Sequence, residues 1–103
     1  MIKAFKVEGN SLYPHLKDGQ RIICLKVFKF SRIKIDDIVI FTKPPHGLMI
    51  KQVKKIQGNQ FFVRGTDPMS IDSRDFGLID RDAIKYKKAS WHYKYLIKLT
   101  KTE

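Results

Sequence analysis

A single cysteine, Cys24, leaves the chain without an internal disulfide, and its place in the apolar run Ile22-Ile23-Cys24-Leu25 reads as a core thiol. The three histidines, His15, His46 and His92, are too scattered to form a metal site with one cysteine. No metal or cofactor is implied. Long hydrophobic runs are also missing: no stretch approaches the roughly 20 apolar residues that a membrane-spanning helix needs. The N-terminal segment Met1 to Val7 lacks a signal-peptide core. A soluble chain, cytoplasmic or membrane-peripheral, is therefore expected. Acidic residues are scarce, 10 against 21 Lys and Arg, for a net charge of +11. That excess suits nucleic acid, an anionic membrane face or an acidic protein. The basic residues are spread along the whole chain, however, with only short pairs such as Lys54-Lys55 and Lys87-Lys88. They read as a solvated surface with weak contact to anionic surfaces, and nucleic acid is not the expected partner.

What is present is globular. With 43% hydrophobic and 12% aromatic residues against 30% charged, the composition is that of a folding chain and not a disordered one. At 103 residues it fits one domain, which buries roughly two-thirds of its unfolded surface.

Short β-rich segments separated by turn residues run along the sequence, with no repeat or linker between them. Residues 2–7 alternate like a strand. Residues 20–28 and 37–43 carry the β-branched runs Ile22 to Leu25 and Ile38 to Phe41, too short for helices, and read as buried strands. The turn Pro44-Pro45-His46-Gly47 leads into a strand over Leu48 to Ile56. Gly58-Asn59 then separates it from Phe61-Phe62-Val63 in a meander. From Thr66 to Asp75 the chain is polar, turn-prone and too long for a hairpin loop, which marks a functional loop. Asp80 to Ile84 is a further turn. The tail from Tyr86 to Leu99 is compatible with strand or helix.

Two residues carry chemistry. In Val7-Glu8-Gly9-Asn10-Ser11-Leu12-Tyr13-Pro14-His15-Leu16 a strand runs into Gly and Ser, a turn that can expose a serine hydroxyl with its own backbone N–H. The plain reading of such a serine is a turn former or helix N-cap. Lys51 lies on a predicted strand whose alternation gives it the apolar same-face neighbours Met49 and Val53. A lysine acts as a base near neutral pH only if burial lowers its pKa by about 2 to 3 units from about 10.4. The plain reading of Lys51 is a lysine snorkelling from a half-buried strand. No histidine has an acidic partner in sequence, so a Ser-Lys dyad fits better than a Ser-His-Asp triad.

The segments Gly9-Asn10-Ser11-Leu12-Tyr13-Pro14, Asp37-Ile38-Val39-Ile40-Phe41, Met49-Ile50-Lys51-Gln52-Val53, Gly65-Thr66-Asp67-Pro68 and Ser70-Ile71-Asp72-Ser73-Arg74-Asp75-Phe76-Gly77 follow one another in that order. In this the sequence resembles the type I signal peptidases over residues 7 to about 85. The LexA-like self-cleaving repressors share the serine and lysine boxes but lack the last one. Leu12, Gln20, Asp36, Gln52 and Thr66 depart from the usual pattern without removing a catalytic atom. In length, and in Asp-Pro followed by Asp-Ser-Arg, the chain is most similar to small soluble peptidases of the nickel-superoxide-dismutase maturation type.

The resemblance implies a mainly β fold of coiled antiparallel sheets with a partly barrel-like core. It implies an endopeptidase that removes a leader or propeptide from a protein precursor, with Ser11 as nucleophile and Lys51 as general base. Ser70 would hold the lysine ammonium, and Asp72 and Arg74 would fix the loop. Membrane-bound members often carry a hydroxyl two residues before the nucleophile. Here that position is Gly9, so a main-chain N–H would have to supply the second oxyanion donor. Two other readings stay open: a LexA-like self-cleaving or partner-binding module, and a basic β-domain that stacks nucleic acid on Phe61 and Phe62.

Overall fold

The structure, a computed structural model, describes residues 2–89. Seven strands form one antiparallel sheet: β1 (Ile2–Lys6), β2 (Arg21–Lys26), β3 (Ile38–Lys43), β4 (Gly47–Gln57), β5 (Gln60–Arg64), β6 (Ile79–Asp80) and β7 (Ile84–Lys88). Their spatial order is β1-β2-β7-β3-β4-β5-β6. The mainly β expectation holds. The edge strands β1 and β6 do not pair with each other, so the sheet is open and not a closed barrel. No helix of the described residues is long and apolar enough to cross a membrane.

The sheet splits its apolar side chains into two cores. One gathers Val39, Phe41, Val53, Phe61, Val63 and Ile79. The other gathers Val7, Leu12, Leu16, Ile22, Cys24 and Ile40. Neighbours in sequence, such as Val39 and Ile40, fall into different cores because successive side chains of a strand leave opposite faces. Each fully buried residue of this size contributes about 1.5–3 kcal/mol relative to exposure. Cys24 is packed in the second core, where burial pushes its thiol up to about 11 against the opposing charge of Lys88. It is a packing residue.

Strand ends fall close to those expected, because β-branched runs and turn residues mark them. The interval 66–75 does not stay a loop: Ser73–Phe76 forms a short helix, α1. Asp72 caps it, and the Asp72 and Asp75 side chains satisfy each other's backbone N–H groups in a capping box. A 3-10 turn over Arg81–Ala83 precedes β7. Tyr86 to Lys88 of the ambiguous tail are strand, and its remainder from residue 90 lies outside the described residues. β7 is the strand that local sequence could not place: it inserts between β2 and β3, pairing with both.

Candidate active site

Lys51 sits near the middle of β4, opposite Val39 of β3 in the register. Its side chain is 4% exposed, and Val39 and Val53 beside it are fully buried. Alternation along the strand therefore does bury this lysine, and the apolar setting destabilises its charged form. Burial pulls the ammonium below its ordinary 10.5, against the pull of the Asp72 carboxylate in the other direction. Among the described residues the Lys51 nitrogen has no hydrogen-bond partner and no ion pair.

The Ser11 turn follows β1. Its ends are tied by Val7 N–H donating to the Gln20 carbonyl and Gly19 N–H donating to the Val7 carbonyl, both at 2.8 Å. Leu12 and Leu16 anchor it in the second core, which leaves Ser11 half-buried at its start. The Ser11 carbonyl accepts from Thr66 N–H at 2.6 Å, from the Thr66 hydroxyl at 3.2 Å and from Asp67 N–H at 3.4 Å. The same hydroxyl reaches the Tyr13 carbonyl. The serine turn is thus stitched to the segment that follows β5.

Gly65 is where these pieces meet. A Cβ there would stand 2.5 Å from the Ser11 carbonyl oxygen, 2.6 Å from Ser70 Oγ and 3.4 Å from Lys51 Nζ. Serine turn, Ser70 hydroxyl and lysine nitrogen therefore crowd the volume of one missing methyl group. Only glycine lets the backbone pass between them.

Behind Gly65 lies Asp72, fully buried. Its carboxylate accepts from Gly65 N–H at 3.0 Å, Arg74 N–H at 3.0 Å, Arg74 Nε at 2.9 Å and Arg74 Nη2 at 2.8 Å. Burial alone would raise its pKa, but these donors, led by the Arg74 side chain, outweigh it and hold the group at about 2. Arg74 Nη2 also donates to the Asp67 carbonyl at 3.2 Å. Asp72 and Arg74 thereby tie Gly65, Asp67 and the start of α1 together.

Two expected details differ. Ser70 Oγ donates to the Asp67 carbonyl at 2.8 Å, with Asp72 Oδ2 at 3.4 Å as the longer alternative. Its hydrogen thus closes a turn, and no bond to Lys51 forms, although the two groups flank the same point. Gly9 N–H is donated to Asp18 Oδ1 at 2.8 Å, so this main-chain donor is already engaged. Ser11 N–H makes no hydrogen bond among the described residues.

Sequence reasoning missed Ser73, whose buried hydroxyl accepts from Val63 N–H at 2.8 Å and fastens α1 to β5. It treated Thr66 only as a departure from a pattern, where the structure makes it a clamp on the serine turn. The two rings of the alternative nucleic-acid reading, Phe61 and Phe62, do not share a face. Phe61 is only 2% exposed, a core residue, and Phe62 leaves the opposite face of the strand.

No protein-family model matches the chain, and no curated protein matches it.

Proposed function

We propose that the chain is a serine endopeptidase of the signal-peptidase type, acting through Ser11 and Lys51 on a leader or propeptide of a protein precursor. The observation that carries this reading is the buried Lys51 side chain, whose nitrogen has no hydrogen-bond partner among the described residues and meets the Ser11 turn and Ser70 around Gly65. Burial of the Lys51 side chain disfavours its charged form, and general-base chemistry is a use for the neutral amine.

In this mechanism neutral Lys51 takes the proton of Ser11 Oγ as that oxygen bonds to the scissile carbonyl carbon. The Ser11 N–H donates to the oxyanion. Protonated Lys51 gives its proton to the leaving amine as the C–N bond breaks. A water molecule, deprotonated by Lys51, then cleaves the ester and frees Ser11.

A groove of about 240 Å³ supports an extended substrate. Its walls are Phe5 and Val7, which lead into the serine turn, and Leu48, Met49 and Ile50, which lead into Lys51. β4 pairs with β5 only from Gln52 onward, so among the described strands Gly47 to Lys51 keep one edge open. A peptide strand can add to that edge, with apolar side chains in the groove.

The test is incubation with candidate precursors from the same genome and mass analysis of the fragments. Discrete cleavage by the wild type and none by Ser11→Ala is expected. Cleavage that survives in Ser11→Ala overturns the reading.

A further inference from the structure

The loop after β2 exposes two aromatic rings in basic surroundings. Phe30 is 91% exposed and Phe28 55%. Lys26 Nζ lies 5.8 Å from the Phe28 ring and Lys29 Nζ 5.7 Å from the Phe30 ring. Arg32 and Lys34, also exposed, continue the basic run. None of these four cations forms an ion pair among the described residues.

The loop is held in shape. Phe28 N–H donates to Ser31 Oγ at 2.7 Å, and Ser31 N–H donates to the Phe28 carbonyl at 3.0 Å. From the 3-10 turn, the Arg81 guanidinium reaches the carbonyls of Phe28, Lys29 and Ser31. Lys87 Nζ donates to the Arg32 carbonyl. The rings are thus displayed by a pinned turn, and hydrophobic burial would ordinarily hide them.

This surface is remote from the candidate active site. A shallow basin joins Phe30 to Asn59, in the β4–β5 turn. Gly65 stands past the other end of β5, five strand positions and roughly 17 Å from Gln60.

We propose that the Phe28–Lys34 loop is an interfacial anchor for an anionic lipid bilayer. Phe28 and Phe30 insert at the headgroup boundary, and Lys26, Lys29, Arg32 and Lys34 meet lipid phosphates. Charge complementarity favours an anionic surface, since each basic residue near one adds about fivefold in affinity. The rings favour lipid over nucleic acid. They sit on an irregular turn and not on a flat sheet face, and each already lies within reach of a lysine ammonium.

Co-sedimentation with phosphatidylcholine vesicles, with and without phosphatidylglycerol, tests this on the full chain. Binding that requires phosphatidylglycerol and weakens with sodium chloride is expected. Phe30→Ser should lower partitioning on the order of tenfold, and Phe28→Ser with Phe30→Ser further still, at unchanged melting temperature. Lys29→Glu should weaken binding to the anionic vesicles alone. Absence of vesicle binding, equal binding to both vesicle types, or binding untouched by the Phe28→Ser, Phe30→Ser pair overturns the proposal. So does binding of single-stranded RNA, without vesicle binding, that Phe30→Ser abolishes. None of these readouts depends on peptidase activity, so failure here leaves the Ser11 and Lys51 reading standing.

Discussion

Gly65 lies against Ser11 with no room for a side chain between them, since a Cβ at position 65 would stand 2.5 Å from the Ser11 carbonyl oxygen. The obstacle is backbone, which cannot swing aside as a flexible side chain can. Gly65→Ala must push the serine turn away from the loop, breaking the Thr66 bonds to it. We expect a loss of about 1–3 kcal/mol in denaturant unfolding. Turnover should fall on the order of a hundredfold. Wild-type turnover in this variant would show that the turn and the loop need not be in register for catalysis.

Burial lowers the Lys51 pKa from 10.5, so the unfolded chain binds more protons than the folded one between the two values. Charged Lys51 therefore costs stability below its folded pKa, and that cost is relieved as pH rises towards 10.5. Turnover should rise with pH through the same folded pKa, below the ordinary lysine value. Lys51→Met should raise the melting temperature by several degrees while lowering turnover at least a thousandfold, on the order of a general base's full contribution. Lys51→Arg should be as inactive, because guanidinium stays protonated. An active arginine variant sinks the dyad.

Ser70 donates to the Asp67 carbonyl and flanks the lysine nitrogen without bonding to it in this structure. Its remaining lone pairs can accept from Lys51 when substrate is bound. Ser70→Ala should lower kcat on the order of a hundredfold, with KM little changed and without the complete loss expected for Ser11→Ala. A variant with wild-type kcat would confine Ser70 to closing its turn.

Asp72 is held at about 2, below its ordinary 3.8, so its contribution is complete above pH 4 and is lost as pH falls through the folded value. That contribution is on the order of 2 kcal/mol. Acid unfolding of the wild type should therefore steepen between about pH 4 and pH 2, and Asp72→Asn should lack that step. The variant should also be less stable at pH 7, measured by urea unfolding, because Arg74 and Gly65 N–H lose a charged acceptor. Superimposable acid profiles would remove Asp72 from the bracing of the loop.

Much of the sheet was legible because its signals are local. Ile22 to Leu25 and Ile38 to Phe41 are too short and too β-branched for helices, and Gly58-Asn59 marks its hairpin. The burial of Lys51 followed from alternation with Val53. Phe61 and Phe62 show the limit of that rule: alternation separates their faces, but only the packing of α1 and β6 decides which one is core. The close approach at Gly65 joins Ser11, Ser70 and Lys51 from three parts of the chain, and no local pattern encodes it. The capping of α1 was written in Asp72 and Asp75, three positions apart, but a polar run reads as loop until something caps it. β7 was illegible for a different reason, since its place is set by two distant strands that need a partner between them.

That insertion has a consequence for biosynthesis. The serine-bearing hairpin of β1 and β2 and the lysine-bearing meander that starts at β3 share no strand pairing, and β7 is what bridges them. Because β7 is the last strand of the described residues, a nascent chain halted before Ile84 holds both halves of the proposed dyad but has no means of joining them through the sheet. Approach of Ser11 and Lys51 within one continuous sheet therefore waits on the synthesis of β7.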